Sequence, residues 1–238
     1  MKIVIKGFVK SSLIDWDGRI VSTLYVPCCN MRCPFCHNGG LLLNPEGYQT
    51  IPINEIKDFY KQRQDFMDGI CLTGGEPCLY EDVLDFMEEF KEIGAMVKLD
   101  TNGTNPGIIE EAISKRIVDY IAMDIKAPLE FDAYNKASKV QSEKLFKNVK
   151  ESIKIIMSSD IDYEFRTTVV PGLHDKEDIR KIVEFIRGAK RYALQNFQPD
   201  GVLDKKLQEI KPYKKEILEK IADGIRGSVE SVIVRGRE

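Results

Sequence analysis

The chain has 238 residues, the length of one domain or two small ones, and enough to bury a core without disulfide staples. Its 35 Lys and Arg against 38 Asp and Glu leave a formal net charge of -3, which gives no electrostatic ground for a nucleic-acid or anionic-membrane partner. With 43% hydrophobic and 31% charged residues the composition is that of an ordinary globular protein, and the longest uncharged stretches, Ile20 to Met31 and Cys33 to Pro45, are too short to span a bilayer. The start MKIVIKGFVK is interrupted by Lys6 and Lys10 and does not read as a secretion signal, so a cytoplasmic protein is expected.

Short β-branched runs alternate with helical patterns. The first run is Ile20 to Val26, and a helix start at Asn54 before Glu55 precedes the second, Ile70 to Thr73. Asp82 to Ile93 places Val83, Phe86, Phe90 and Ile93 on one face, with Gly94 as a stop before the third run, Met96 to Asp100. Asn105-Pro106 opens a helix over Gly107 to Lys115 ahead of the fourth run, Tyr120 to Ile125. Glu143 to Met157, with Leu145, Val149, Ile153 and Ile156 on one face, leads to the fifth run, Tyr163 to Val170. Asp175 caps Lys176 to Arg187 before the sixth, Tyr192 to Phe197; a helix over about Pro212 to Ile225 and a strand, Ser231 to Arg235, follow. Strand-helix alternation argues for parallel βα units. A closed eight-unit barrel takes about 250 residues, too many for a chain whose sixth run begins at residue 192. The expected fold is α/β, an incomplete (βα)6 TIM-like barrel with an N-terminal extension and a C-terminal helix-strand. No repeat or composition break divides it, so residues 1–238 read as one domain with its core at about 20–200.

In such a fold functional groups gather at the carboxyl ends of the strands. Four of the six cysteines, Cys28, Cys29, Cys33 and Cys36, follow the first run, and only two histidines, His37 and His174, are available as other ligands. Cys29-x3-Cys33-x2-Cys36 puts three thiolates on one loop. A zinc site or a simple electron-transfer cluster takes four protein ligands, whereas a four-iron cubane held by three leaves one iron open; both metals remain readings of the spacing. Cys28 is disfavoured as a fourth ligand because adjacent residues of extended backbone point in opposite directions. Cys71 and Cys78 read as small apolar core residues and His174 as part of the turn before a helix. Trp16 and Leu41-Leu42-Leu43 read as a covered core edge or as a partner-facing or lid surface. TGGEP at 73–77 taken alone is a Gly-Gly turn with a helix-start glutamate.

CNMRCPFC resembles the CxxxCxxC signature of the radical S-adenosylmethionine (SAM) superfamily, including the aromatic Phe35 before the last cysteine. The resemblance implies a [4Fe–4S] cluster on Cys29, Cys33 and Cys36, with SAM chelating the open iron. TGGEP is similar to the family's second motif, which implies Gly74, Gly75 and Glu76 at the SAM amino group. GFVKSSLIDWDGR, KLDTNG, MDIKAP and RTTVVPGLH extend the likeness to the activating enzymes of glycyl-radical enzymes, above all to the longer type of anaerobic ribonucleoside-triphosphate reductase activating protein. By resemblance Asp100, Thr101 and Asp124 lie near SAM and hold a monovalent cation, Lys126 and Arg166 face the SAM carboxylate or the substrate, and Asn102, His37 and Phe35 line the SAM pocket. The implied activity is reductive cleavage of SAM to a 5′-deoxyadenosyl radical that makes a glycyl radical on a partner enzyme. A flavodoxin or ferredoxin is the implied electron donor. Two departures stand out: Cys28 where relatives carry Gly, and Gln195-Asn196-Phe197 where formate-lyase activators carry a SAM-contacting His. The alternatives are a radical SAM enzyme acting on a small molecule, resembling 7-carboxy-7-deazaguanine synthase, and a zinc-stabilised binding module without catalysis.

Overall fold

The computed structural model describes residues 1–140 and 142–236. Eight strands form one sheet in chain order: β1 (Gly7–Ser12), β2 (Val21–Val26), β3 (Gly69–Gly74), β4 (Met96–Thr101), β5 (Tyr120–Asp124), β6 (Asp162–Val169), β7 (Tyr192–Asn196) and β8 (Val232–Arg235). β1 pairs antiparallel with β2, every later pair is parallel, and among the described residues β8 does not pair with β1. The sheet is thus an open barrel. The six runs read from the sequence are β2 to β7, and the C-terminal helix-strand follows them.

The helices are α1 (Gly39–Leu43), α2 (Ile53–Lys61), α3 (Val83–Glu92), α4 (Pro106–Ser114), α5 (Phe131–Ser138), α6 (Glu143–Ser158), α7 (Lys176–Phe185) and α8 (Lys215–Asp223). Ser142 Oγ caps α6 through Leu145 N–H, and Asp175 closes a capping box with Asp178 on α7. Alternation along the strands divides the interior in two. Leu24, Val26, Leu72, Val97, Leu99, Ile121, Met123 and Phe165 pack outward with Ile56, Phe90, Ile109, Val149 and Ile182 of the helices. The concave face carries a second, small cluster, Val21, Cys71, Tyr120 and Ala122, into which Trp16 is buried.

The N-terminal extension is more ordered than its sequence pattern indicated. Its first half is β1, an edge strand whose mixed polarity hid it: Val9, Lys10 and Ser11 are exposed, and the register shifts between Val9 and Ser12. Its second half closes the amino end of the barrel. Trp16 meets the Tyr120 ring at 5.6 Å, Thr23 Oγ1 donates to Asp15 Oδ2 at 2.6 Å, and Arg235 pairs with Asp17 at 2.6 Å and Glu164 at 2.8 Å. Trp16 is therefore a covered core residue. The leucine run divides: Leu41 is buried, Leu42 half-buried and Leu43 exposed. Cys71 and Cys78 are buried, as expected of apolar core thiols. Among the described residues no helix is long and apolar enough to cross a membrane.

Candidate functional site

At the carboxyl ends of the strands a cleft of about 190 Å³ opens, several times a water molecule's share of the liquid, about 30 Å³. The cysteine loop forms one wall. Its shape is set by backbone bonds: Cys36 N–H donates to Cys33 O at 3.0 Å, Arg32 N–H to Ser138 O at the end of α5 at 2.9 Å, and Leu203 N–H to Cys36 O at 2.9 Å. Cys29, Cys33 and Cys36 all line the cleft. Burial pushes the Cys29 thiol up to about 11 and the Cys33 thiol up to about 12, and it raises Cys36 as well. These thiols are protonated at neutral pH, so metal loading must displace their protons. Among the described residues no three His, Cys, Asp or Glu side chains close on a single metal-ion position.

Cys28 sits apart from the cleft-lining groups at φ +65°, the left-handed region that glycine occupies at no cost, which gives the physical reason a Gly is expected there. Among the described residues three thiol sulfurs line the cleft. His37 lines it too, but its Nε2–H donates to Gln198 O at 2.9 Å. A soft set of three thiols on one loop, with Cys28 off the cleft, fits an iron–sulfur cubane with one open iron.

The opposite wall is a charged network on β4, β6, the last residue of β5 and Lys126 just beyond it. Arg166 Nε donates to Asp124 Oδ1 at 2.7 Å and its Nη1 to Asp100 Oδ2 at 3.0 Å. Lys126 Nζ donates to Asp124 Oδ2 at 2.8 Å, and Lys98 Nζ lies 3.3 Å from Asp100 Oδ1. Burial alone would raise both carboxyls; the guanidinium of Arg166, then Lys98 on Asp100 and Lys126 on Asp124, holds both below the usual carboxylate range. Burial would likewise lower Lys126, but Asp124 raises it, so it stays charged. Of this network Arg166, Lys126, Asp100 and Asp124 line the cleft, two cations with two carboxylates, and Lys98 lies off the lining. Among the described residues Asp100 Oδ1 is buried and accepts no hydrogen bond, its contact with Lys98 being the 3.3 Å ion pair.

The glycines join the two walls. Gly74 has φ +111° and donates nothing to the cleft by side chain; its carbonyl accepts from Asn38 Nδ2 at 2.7 Å. A Cβ on Gly75 would lie 1.8 Å from the Cys28 carbonyl oxygen, while Gly75 N–H donates to Val26 O at 2.7 Å and Glu76 N–H to Cys28 O at 2.8 Å. A larger residue at 75 would therefore press on the cysteine loop itself.

Glu76 is fully buried and is not among the cleft-lining residues. Its Oε1 accepts from Thr101 Oγ1 at 2.7 Å and Cys78 N–H at 3.0 Å, and its Oε2 from Asn102 N–H at 2.6 Å. Burial raises its pKa while these bonds oppose the rise. Its carboxylate holds the end of β4 against the TGGEP turn. Thr101 and Asn102 thereby present themselves to the cleft, and Asn102 Nδ2 lies 3.6 Å from Cys29 Sγ.

Of the fourteen residues singled out in the sequence, Phe35, His37, Gly74, Gly75, Asp100, Thr101, Asn102, Asp124, Lys126, Arg166 and the three cysteines share this cleft, and Glu76 stands behind it. The sequence reading missed Met31, Arg32, Asn38, Leu42, Thr73, Thr168 and Leu203 on its lining. It missed Lys98 as well, although a Lys two residues before Asp100 on a strand must share its face.

Residues 23–186 match the Radical SAM superfamily. Over 240 residues the chain is 32% identical to a Methanocaldococcus jannaschii protein named as a glycyl-radical enzyme activating enzyme, covering 99% of this chain and 97% of that one. It is 27% identical over 234 residues to the pyruvate formate-lyase-activating enzyme of Clostridium pasteurianum, covering 92% and 94% of the two chains. Among solved structures, a radical SAM methyltransferase from Sphaerobacter thermophilus shares the fold with a TM-score of 0.66 at 14% identity; 90% of this chain spans 66% of that one. Family membership sets aside the reading of a non-catalytic zinc module. With the cysteine loop, the glycine turn and the charged wall on one cleft, the chain belongs to the radical SAM superfamily and is a radical SAM enzyme, of a family that works with a [4Fe–4S] cluster and SAM.

Proposed function

We propose that the chain, working as one radical SAM domain over residues 1–238, is an activase that generates a glycyl radical on a partner enzyme, an anaerobic ribonucleotide reductase. The observation that carries this is the convergence of three thiols and a wall bearing Lys126 and Arg166, both paired with carboxylates, on a single cleft. Cys29, Cys33 and Cys36 would hold the cluster through three sulfurs. When bound, the cluster and SAM supply a 5′-deoxyadenosyl radical able to take a hydrogen from a glycine Cα of the partner. Lys126 and Arg166 would receive the SAM carboxylate through charge-assisted hydrogen bonds. Asp100 and Asp124 are engaged by Arg166, Lys126 and Thr73, and Lys98 stands 3.3 Å from Asp100 Oδ1, so a monovalent cation would have to compete with that ammonium. Met31, Phe35, Leu42 and Leu203 would exclude water from the bound nucleoside. No side-chain acid or base is needed for hydrogen-atom removal, in keeping with both histidines being engaged with backbone carbonyls.

The full-length likeness to activating enzymes supports a glycyl-radical enzyme as substrate. A reduced flavodoxin or ferredoxin would supply the electron. The test is to incubate the anaerobically reconstituted protein, SAM and reductant with purified anaerobic ribonucleotide reductase. We expect a glycyl-radical signal on the reductase and one 5′-deoxyadenosine per radical formed. SAM cleavage that leaves the reductase unmodified would overturn the partner assignment and turn the search to a small-molecule substrate.

A further inference from the structure

We propose that His174 is a positioning residue for the cleft, setting Lys126 and Phe35 through its two ring nitrogens and its ring face. The inference rests on the cleft being the SAM site. His174 is buried, although it follows a Pro-Gly turn and a sequence pattern reads it as an ordinary turn residue. The turn is tight: Leu173 N–H and His174 N–H both donate to Val170 O, at 3.0 and 2.8 Å, which brings the imidazole back over the end of β6.

Both ring nitrogens are committed. Val170 N–H donates to Nδ1 at 3.0 Å, so Nδ1 carries no proton. The proton is therefore on Nε2, which donates to the Lys126 carbonyl at 2.8 Å. The ring also stands edge-to-face on Phe35, with centroids 6.1 Å apart and planes at 74°. Tyr213 Oη donates to the His174 carbonyl at 2.9 Å, so the segment before α8 holds the turn from behind. One side chain thus ties together the end of β5, the end of β6 and the cysteine loop.

Lys126 is where this matters. Its N–H donates to Tyr134 Oη at 3.4 Å and its carbonyl accepts from His174, so both its backbone groups are fixed by side chains just beyond the last residue of β5. Its ammonium reaches back to Asp124, which also takes Arg166. A shift of the Lys126 backbone moves that pair and, with it, the charge that would meet the SAM carboxylate. Phe35 lies between Cys33 and Cys36, so the same ring also sets that turn. His174 does not line the cleft and acts only through these neighbours.

The test compares full-length, anaerobically reconstituted protein with two variants. His174→Phe keeps a ring against Phe35 and loses both hydrogen bonds; His174→Gln keeps one donor and one acceptor. Iron per chain, Tm, the Kd for SAM by equilibrium dialysis, and kcat and KM for SAM cleavage are read for each. Losing two bonds of ordinary net worth predicts that His174→Phe weakens SAM binding and raises KM about tenfold at wild-type iron content, with kcat changed less than about twofold. His174→Gln is expected to recover most of that loss. Unchanged Kd and KM in His174→Phe, or no recovery in His174→Gln, overturns the proposal. Because the chain has only two histidines, imidazole 15N spectra of the wild type give an independent readout even where His174→Phe fails to fold. An Nε2–H tautomer is expected, and an Nδ1–H tautomer overturns the assignment. If the wild type neither holds iron nor binds SAM, the reading of the cleft fails, and the role of His174 falls with it.

Discussion

The two ends of the barrel are built from the same strands and finished in opposite ways. At the amino end Trp16 fills the opening against Tyr120, Val21, Cys71 and Ala122, and the charges beside it are matched, Arg235 and Arg191 against Glu164 and Asp17. At the carboxyl end, among the described residues, no large side chain fills the space. Three thiols share a cleft of about 190 Å³ with Asp100, Asp124, Lys126 and Arg166. Lys98 belongs to both ends, donating to the Asp15 carbonyl below and standing 3.3 Å from Asp100 above. A filled end contributes stability; an end that keeps thiols and charged groups around unfilled volume has something left to bind.

Substitutions at the two ends should separate accordingly. The largest effect is expected from Cys33→Ala, which should reduce iron per chain and SAM cleavage to background while circular dichroism still reports a folded barrel. Iron retained at wild-type level would break the ligand assignment. Next comes Trp16→Ala, where emptying the amino end should cost about 3–5 kcal/mol in chemical denaturation. Iron per folded chain should stay unchanged, and a loss of iron in step with stability would show that the ends are not separable.

A glycine pair sharpens the same contrast. Gly75→Ala places a Cβ against the Cys28 carbonyl and should cost about 3 kcal/mol together with iron loading. Gly18→Ala, at φ +75° with open space around it, should cost only the left-handed strain of about 1 kcal/mol and leave iron loading alone. Equal costs for the two would contradict the close approach at Gly75.

The smallest effect is a pH dependence from His174. Burial lowers its pKa, against the opposing pull of the Lys126 carbonyl, Asp178 and Asp175 and with the help of Lys136. The unfolded chain therefore takes up the proton first as pH falls. The stability this neutral imidazole contributes is complete above about pH 6.5 and is lost as pH falls from there toward its folded pKa, with a slope of at most about 1.4 kcal/mol per pH unit. His174→Gln should remove that component of the urea-denaturation profile, and a profile identical to wild type would contradict it.

Much of this arrangement was legible in the sequence. The six central strands carried β-branched runs, and the residues that line the cleft fell at the run ends, where a parallel sheet gathers its loops. Other features left no local signal. β1 is an exposed edge strand without apolar alternation. α5, whose Ser138 carbonyl fixes Arg32, starts at Glu130 without a side-chain cap. Glu76 shows why a motif does not fix a geometry, since its carboxylate turns inward to backbone donors that lie 26 residues away in sequence at Asn102. His174 acts on Lys126, 48 residues earlier, through a contact that only the fold creates.

The most direct test of the cleft is electron paramagnetic resonance of the anaerobically reconstituted and reduced protein, with and without SAM, followed by chromatography for 5′-deoxyadenosine. A reduced four-iron signal that changes on adding SAM, together with the nucleoside, is the predicted result. Zinc in place of iron, or a four-iron signal indifferent to SAM with no nucleoside formed, would contradict a site in which three thiols and the charged wall act on one molecule.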